Sequence, residues 1–145
     1  MATFNKYNQF VEDLANKVHD LMGTAGSGAD TLKVMLTNTA PNASTHAVRA
    51  DATEISGGNG YTSGGASIQN VGSRSGGTFT LVATDVVFTA SGGSIGPFRY
   101  AVVFNDTPTS PADPLVCYFD YGSSITLASG ETFTVDFGAS IFTIA

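Results

Sequence analysis

The fold is decided by residues 94–106, SIGPFRYAVVFND, the most apolar continuous run of the chain. A run of this length between turn-forming residues is typical of a strand that is buried along most of its length. Proline cannot donate to a sheet ladder, so we expect regular pairing to begin after Pro97, near Phe98. Arg99 interrupts the apolar run, and we expect it to pair with an acid such as Asp120, to reach the rim, or to reach a partner subunit.

The composition predicts one weakly charged domain. A chain of 145 residues corresponds to about one domain and is long enough to bury its own core. Only 12% of the residues are charged, against about a quarter in an average soluble protein. Much of the surface must therefore consist of hydroxyl, amide and backbone groups. Such a surface loses little on leaving water, which favours burial against another protein.

Charge and segment length argue against two classes of partner. The net charge is −6 and the six Lys and Arg residues are scattered, whereas nucleic-acid binding needs clustered cations. No apolar run approaches the roughly 20 residues that span a bilayer, and the N-terminus lacks a basic-then-apolar signal pattern. We therefore expect no nucleic-acid or membrane partner, and a protein that is made in a cytoplasm.

The first segment has helical periodicity. Its apolar side chains are spaced by three and four residues, at Phe4, Tyr7, Val11, Leu14, Val18 and Leu21. This spacing predicts an amphipathic helix within residues 1–22, capped by Thr3 and ended by Gly23. We expect the helix to pack on a single β-sandwich domain formed by residues 23–145, with a short coiled coil between helices as the alternative. His19 falls beside the apolar stripe and is predicted to be a partly exposed polar residue.

Most of the remaining chain is typical of antiparallel strands. Residues 31–38 alternate apolar and polar side chains, which predicts a half-buried strand. Further short strands are predicted between turn signals, at residues 78–83, 86–88, 115–121, 124–127, 131–137 and 141–144. About eight or nine strands at this spacing predict a mainly β protein, an antiparallel β-sandwich or jelly roll with one N-terminal helix.

The polar, turn-rich residues 39–77 are the main predicted interface. Long loops in compact domains usually have a function or are held by a partner. Asp51 and Glu54 are the only acids in this segment and are weak evidence for calcium, which needs six to eight oxygen ligands. Together with the helix and the strand of residues 94–106, this segment supplies the candidate interface residues: Phe4, Tyr7, Val11, Asp51, Glu54, Asn59, Tyr61 and Arg99.

No catalytic, metal or cofactor site is predicted. The two histidines lie far apart in the sequence, and no serine occupies a Gly-x-Ser-x-Gly turn. Asp120, Glu131 and Asp136 are better explained as solvated charges at strand edges than as the paired carboxylates of a glycosidase. Cys117, the only cysteine, lies in an apolar run and is predicted to be a small core residue. We therefore expect a protein that is not an enzyme.

A set of segments spread over nearly the whole chain carries a family resemblance. After the helical stripe of residues 4–21 come 30–34 DTLKV, 59–61 NGY, 91–100 SGGSIGPFRY and 120–133 DYGSSITLASGETF. This ordered set resembles a family of small virion proteins of tailed bacteriophages and prophages. The resemblance implies a virion structural protein, a capsid decoration or cement protein that binds the major capsid protein as a homotrimer. The shared motifs are turns and strand cores, so no site residue is carried over from the family.

Two other functions remain open from the sequence. A phage tail-associated structural protein would share the virion class and differ only in location. A carbohydrate-binding jelly-roll module would present exposed aromatic side chains to a sugar. The absence of Trp weakens this second alternative, and burial of Tyr61 would count against it.

Overall fold

Antiparallel strands and one short helix build residues 2–145, the part of the chain that the computed structural model describes. The helix is α1, Asn8–Ala15, and a single 3-10 turn spans Arg49–Asp51. The strands are β1 Thr3–Lys6, β2 Gly23–Ala25, β3 Gly28–Ala29, β4 Leu32–Thr37, β5 Ala66–Ser67, β6 Val71–Ser75, β7 Thr78–Val82, β8 Val86–Thr89, β9 Ile95–Asn105, β10 Leu115–Leu127, β11 Thr132–Val135 and β12 Phe142–Ile144. The prediction of a mainly β protein is confirmed.

Three sheets contain these strands. The first has the order β1-β10-β9-β4-β5, the second has the order β12-β7-β6-β2-β3, and β11 pairs with β8 alone. All neighbours are antiparallel except β2 and β3, which are parallel. Most pairs join distant segments, so the position of each strand depends on contacts that no local pattern contains.

The apolar run of residues 94–106 forms the central strand of the first sheet, as predicted. β9 pairs with β10 on one side and β4 on the other, and its residues from Ala101 to Asn105 are all buried. Ile95 lies opposite Leu127, but the register shifts on both sides of the next pair, Phe98 and Ile125, so regular pairing with β10 begins after Pro97, at Tyr100. The proline is tolerated because the β9–β10 register shifts around it, and β4 pairs only from Tyr100 onward.

Strand β4 is buried on both faces, whereas the sequence predicts a strand that is buried on one face only. The predicted half-buried strand sets Met35 and Thr37 on the face opposite Leu32, Val34 and Leu36, but both are completely buried. The long segment that follows β4 returns alongside it and contacts the Thr37 side chain. The amide of Ile55 donates to the Leu36 carbonyl at 3.0 Å, and the Thr37 hydroxyl donates to the carbonyl of Thr53.

The N-terminal prediction is wrong in its extent. The first element of the described residues is strand β1, in which Phe4 lies opposite Phe119 of β10, and α1 covers only eight residues. Thr3 therefore does not cap the helix; Tyr7 occupies the N-cap position without a side-chain hydrogen bond. None of the described helices is long and apolar enough to cross a membrane.

The helix ends well before Gly23 because the backbone turns at Lys17, whose φ is +61°. The amide of Val18 donates to the Asp13 carbonyl at 2.9 Å, and the amide of Lys17 donates to the Leu14 carbonyl at 3.2 Å. This pair of bonds is the Schellman arrangement that satisfies the last carbonyls of a helix. The apolar residues beyond it therefore leave the helical stripe, and Leu21 enters the core from a loop.

His19 is buried, contrary to the sequence prediction. Its side chain is 8% exposed and its ring lies 5.0 Å from the ring of Phe10. The amide nitrogen Nδ2 of Asn105 lies 3.0 Å from His19 Nδ1 and donates to Asp30 Oδ2 at 2.6 Å. Since an amide NH2 group only donates, Nδ1 is the unprotonated ring nitrogen.

Candidate interaction surface

An apolar surface surrounds Phe4 on the outer strand β1. Four large apolar side chains on it are 40% to 54% exposed: Phe4, Val11, Tyr121 and Ile144. Two cavities lie among these side chains, and Phe4 lines both of them. We call these four residues and the two cavities the Phe4 surface.

The larger cavity has a volume of about 470 Å³. It lies between the first sheet and the chain from β11 to β12, and its walls are mostly aromatic, formed by Phe119, Phe133 and Phe137. Arg99 and Asp136 supply its charged groups. A cavity of this size and lining accommodates an apolar side chain or a small ligand with one polar end.

The smaller cavity has a volume of about 360 Å³ and lies between β1, α1 and β12. Phe10 and Leu14 of the helix and Phe142 of β12 form its apolar walls. Its polar lining residues are Lys6 and Thr143. The short helix thus closes one end of the Phe4 surface.

Strand geometry explains why β1 borders both cavities. Side chains two residues apart on a strand share a face, so Ala2, Phe4 and Lys6 point the same way. Ala2 and Phe4 line the larger cavity, and Phe4 and Lys6 line the smaller one. The ring of Phe4 packs edge-on against Phe119 at 5.7 Å, which holds it in place between the cavities.

Of the three contacts considered for Arg99, the structure shows the ion pair with Asp120. Its Nε and Nη2 atoms donate to the two carboxylate oxygens at 2.8 and 2.9 Å, and its guanidinium carbon lies 5.2 Å from the centre of the Tyr100 ring. The hydrogen bonds from Arg99, together with one from the amide of Gly122, lower the pKa of Asp120. Both side chains remain partly exposed, so solvent screens the pair.

Glu54 is a structural residue of the long loop. Its carboxylate accepts hydrogen bonds from Arg49 at 2.8 Å, Tyr61 at 2.7 Å, Ser63 at 3.3 Å and the Gly64 amide at 2.6 Å. Burial alone raises the pKa of this carboxyl, but the hydrogen bonds from Arg49, Tyr61 and Gly64 outweigh burial and lower it. All of these partners are from its own loop.

The structure separates the other candidate interface residues. Tyr7 and Tyr61 are 0% and 3% exposed, so these two predictions are corrected: neither side chain is available to a partner. Asp51 accepts hydrogen bonds from the amides of Ala47 and Val48, and Asn59 donates to the carbonyl of Ser94. Both remain at the surface, but their hydrogen bonds hold turns of this chain.

Of the eight candidates, only three lie at the Phe4 surface: Phe4, Val11 and Arg99. Sequence reasoning missed Tyr121 and Ile144, because exposed apolar residues in strands carry the same pattern as buried ones. A signal for Tyr121 exists in its neighbour, since the glycine at 122 marks a place where β10 leaves regular pairing.

The described residues bring no metal-binding group together. Within residues 2–145, no three His, Cys, Asp or Glu side chains are placed to hold a metal ion. Cys117 is completely buried, as predicted, and burial raises the pKa of its thiol. Glu131 and Asp136 each accept a hydrogen bond from a turn amide, of Ala128 and Gly138. No family model, no curated protein and no solved structure matches the chain.

Proposed function

We propose that this chain is a non-enzymatic structural protein of a tailed-phage virion, a decoration or cement protein that binds the major capsid protein of the head shell. The observation that carries the proposal is the Phe4 surface, where four large apolar side chains stand exposed around two cavities. Clustered exposed apolar residues of this kind mark interaction sites. The sequence resemblance to phage virion proteins supplies the identity of the partner.

The rigid long loop supports the same role. Glu54 ties the loop together through four hydrogen bonds, and the loop is joined to α1 where the amide of Asn8 donates to the Ala43 carbonyl at 2.9 Å. A partner that binds beside α1 therefore meets a preorganised surface, which lowers the entropy lost on binding. Many copies on one shell then add through multivalency, even if each contact is weak.

For the fold and assembly, the proposal is a sandwich or jelly-roll packing of the sheets in a homotrimer. Aromatic contacts join the first sheet to the chain around β11, with Phe98 and Phe133 at 4.9 Å and Phe119 and Phe137 at 5.8 Å. These are the inner-face contacts expected of two stacked layers. Trimer formation also covers part of a surface that has few charges.

The test uses head shells of the parent virion assembled without this protein. Purified protein is added and its occupancy on the shells is measured by sedimentation and by imaging of the particles. Val11→Lys places a charge on the Phe4 surface and is expected to lower occupancy, whereas Val87→Lys, at a residue of similar exposure outside it, is the matched control. Equal occupancy for both variants would contradict the proposed surface, and no binding by the unaltered protein would contradict the proposed function.

The tail-associated alternative is distinguished by where the protein's density lies on the particle. The carbohydrate alternative is disfavoured because Tyr61, the aromatic residue of the loop, is buried and hydrogen-bonded to Glu54. A glycan array measures this directly, and binding that Val11→Lys does not change would favour the carbohydrate module over a virion role.

A further inference from the structure

Strand β1 is the outermost strand of the first sheet. It pairs with β10 on one side, and no strand lies on its other side in the part of the chain that the structure describes. An unpaired sheet edge presents backbone donors and acceptors to any extended chain that approaches it. Three of its four residues, Thr3, Phe4 and Lys6, are exposed.

The register shows which backbone groups face outward. The amide of Tyr7 donates to the Val116 carbonyl at 3.3 Å, so Tyr7 and the residues two and four before it direct their backbone groups to β10. Phe4 and Lys6 alternate with them and form the pairs whose backbone groups point away from β10. The edge therefore offers two N–H donors and two C=O acceptors.

The cavities lie where an added strand would place its side chains. Ala2 and Phe4 line the larger cavity and Phe4 and Lys6 line the smaller one, and all three residues share a face. Residues of an added strand on this face recur about 6.7 Å apart. Side chains opposite Ala2 and Lys6 then fall at the two cavities, on either side of the Phe4 ring.

The charge of Lys6 indicates which kind of segment would bind at this edge. Lys6 is exposed and forms no ion pair with the described residues, and Thr143 is the only other polar residue that lines the smaller cavity. A segment with an acidic residue near Lys6 gains a charge-assisted contact that the isolated chain lacks.

We propose that the outer edge of β1 binds an extended segment of the shell protein as an added strand, with two apolar side chains four residues apart, opposite Ala2 and Lys6, and an acidic residue beside Lys6. The inference rests on the proposed function and adds the mode of attachment. Main-chain hydrogen bonds supply the affinity of such contacts, and the side-chain cavities supply their selectivity.

Amide hydrogen exchange of the unaltered protein tests this mode, measured free and bound to shells assembled without it. Bound protein is expected to exchange the Phe4 and Lys6 amides at least about tenfold more slowly, because both gain partners. The Asn5 amide, already directed to β10, is the internal control and should change little.

Two substitutions of Lys6 distinguish the contribution of its backbone N–H to shell binding from that of its side-chain charge. Lys6→Pro removes an outward N–H without touching the β10 ladder and is expected to weaken shell binding about tenfold. Lys6→Gln keeps the N–H and is expected to weaken binding only a few-fold, with a reduced dependence on salt. Circular dichroism of both variants checks that the fold is intact, and if Lys6→Pro unfolds, the exchange experiment decides.

The outcomes distinguish the two proposals. Shell binding with unprotected Phe4 and Lys6 amides would overturn the added strand and leave the decoration function in place. Absence of shell binding by the unaltered protein would overturn both. Protection of the two edge amides, with weaker binding by Lys6→Pro than by Lys6→Gln, is the result that supports the added strand.

Discussion

The hydroxyl of Tyr61 donates a 2.7 Å hydrogen bond to Glu54 and accepts one of 3.0 Å from the amide of Leu36. One buried side chain thus joins the long loop to strand β4, near the centre of the first sheet. The long loop, which the sequence presents as the main interface, is held at its middle by this contact.

Replacement of Tyr61 by Phe is expected to destabilise the protein. The change leaves the Leu36 amide without its buried acceptor and removes one donor to Glu54, at a cost of about 1–3 kcal/mol. Urea unfolding measures the free energy, and Tyr121→Phe, at a residue that is 50% exposed, is the matched control. A Tyr61→Phe protein as stable as the control would contradict this role.

Protonation of Glu54 is expected to destabilise the protein in acid. Its pKa lies below the usual 4.5 in the folded protein, so the unfolded chain takes up its proton first as pH falls. The contribution of Glu54 is full above about pH 4.5 and is lost as pH falls toward the folded pKa. The thermal midpoints of the wild type and Glu54→Gln should differ near neutral pH. The difference should shrink as pH falls below about 4.5.

Protonation of His19 is expected to destabilise the protein at a higher pH than protonation of Glu54 does. Burial lowers its pKa below 6.5, against the opposing influence of Asp13 and Asp30. Protonation of Nδ1 would set an N–H against the Asn105 amide donor, so the folded protein disfavours the charged ring. Stability is therefore full above pH 6.5 and falls as pH drops from there toward the folded pKa.

NMR titration of the His19 ring measures this pKa directly, with the loop residue His46 as internal comparison. His19→Gln should remove the pH dependence just below 6.5 and leave the lower-pH effect of Glu54 unchanged. A His19 pKa at or above 6.5 in the folded protein would contradict the prediction.

The Arg99–Asp120 pair is expected to contribute little to stability. Both side chains are partly exposed, and solvent and salt screen their attraction. Arg99→Leu should lower the thermal midpoint slightly at low salt and not at high salt, and Asp120→Asn should behave in the same way. A large loss of stability or of oligomer with Arg99→Leu alone, measured by scanning calorimetry and sedimentation, would show that the pair lies at a subunit contact.

Some predictions from the sequence survive because they depend on composition over a short run. The apolar run of residues 94–106 has no stable place except the middle of a sheet, and β9 lies there. Cys117, in a similar run, is completely buried for the same reason. The ion pair of Arg99 with Asp120 is one of three contacts that the sequence allows for a charge inside an apolar strand, and the β9–β10 pairing brings the two side chains together.

The candidate interface was less predictable because burial is a property of neighbours. Tyr7, Tyr61 and Phe4 are all aromatic residues near turns or element ends, and nothing in their local sequence separates them. Tyr7 is buried with Tyr118 at 5.3 Å and Tyr61 with Phe88 at 5.5 Å, whereas Phe4 stands at an open sheet edge.

The sequence by itself determined that the chain forms a mainly β protein around the strand of residues 94–106, because a continuous apolar run must leave water wherever it lies. Only the tertiary structure decided the form of residues 3–6. Their spacing suits a helix, yet Thr3–Lys6 pairs as a strand with β10, from near the other end of the chain. Pairing with a distant strand outweighs a local helical preference because it both satisfies the backbone hydrogen-bonding groups of β1 and packs the Phe4 ring against Phe119.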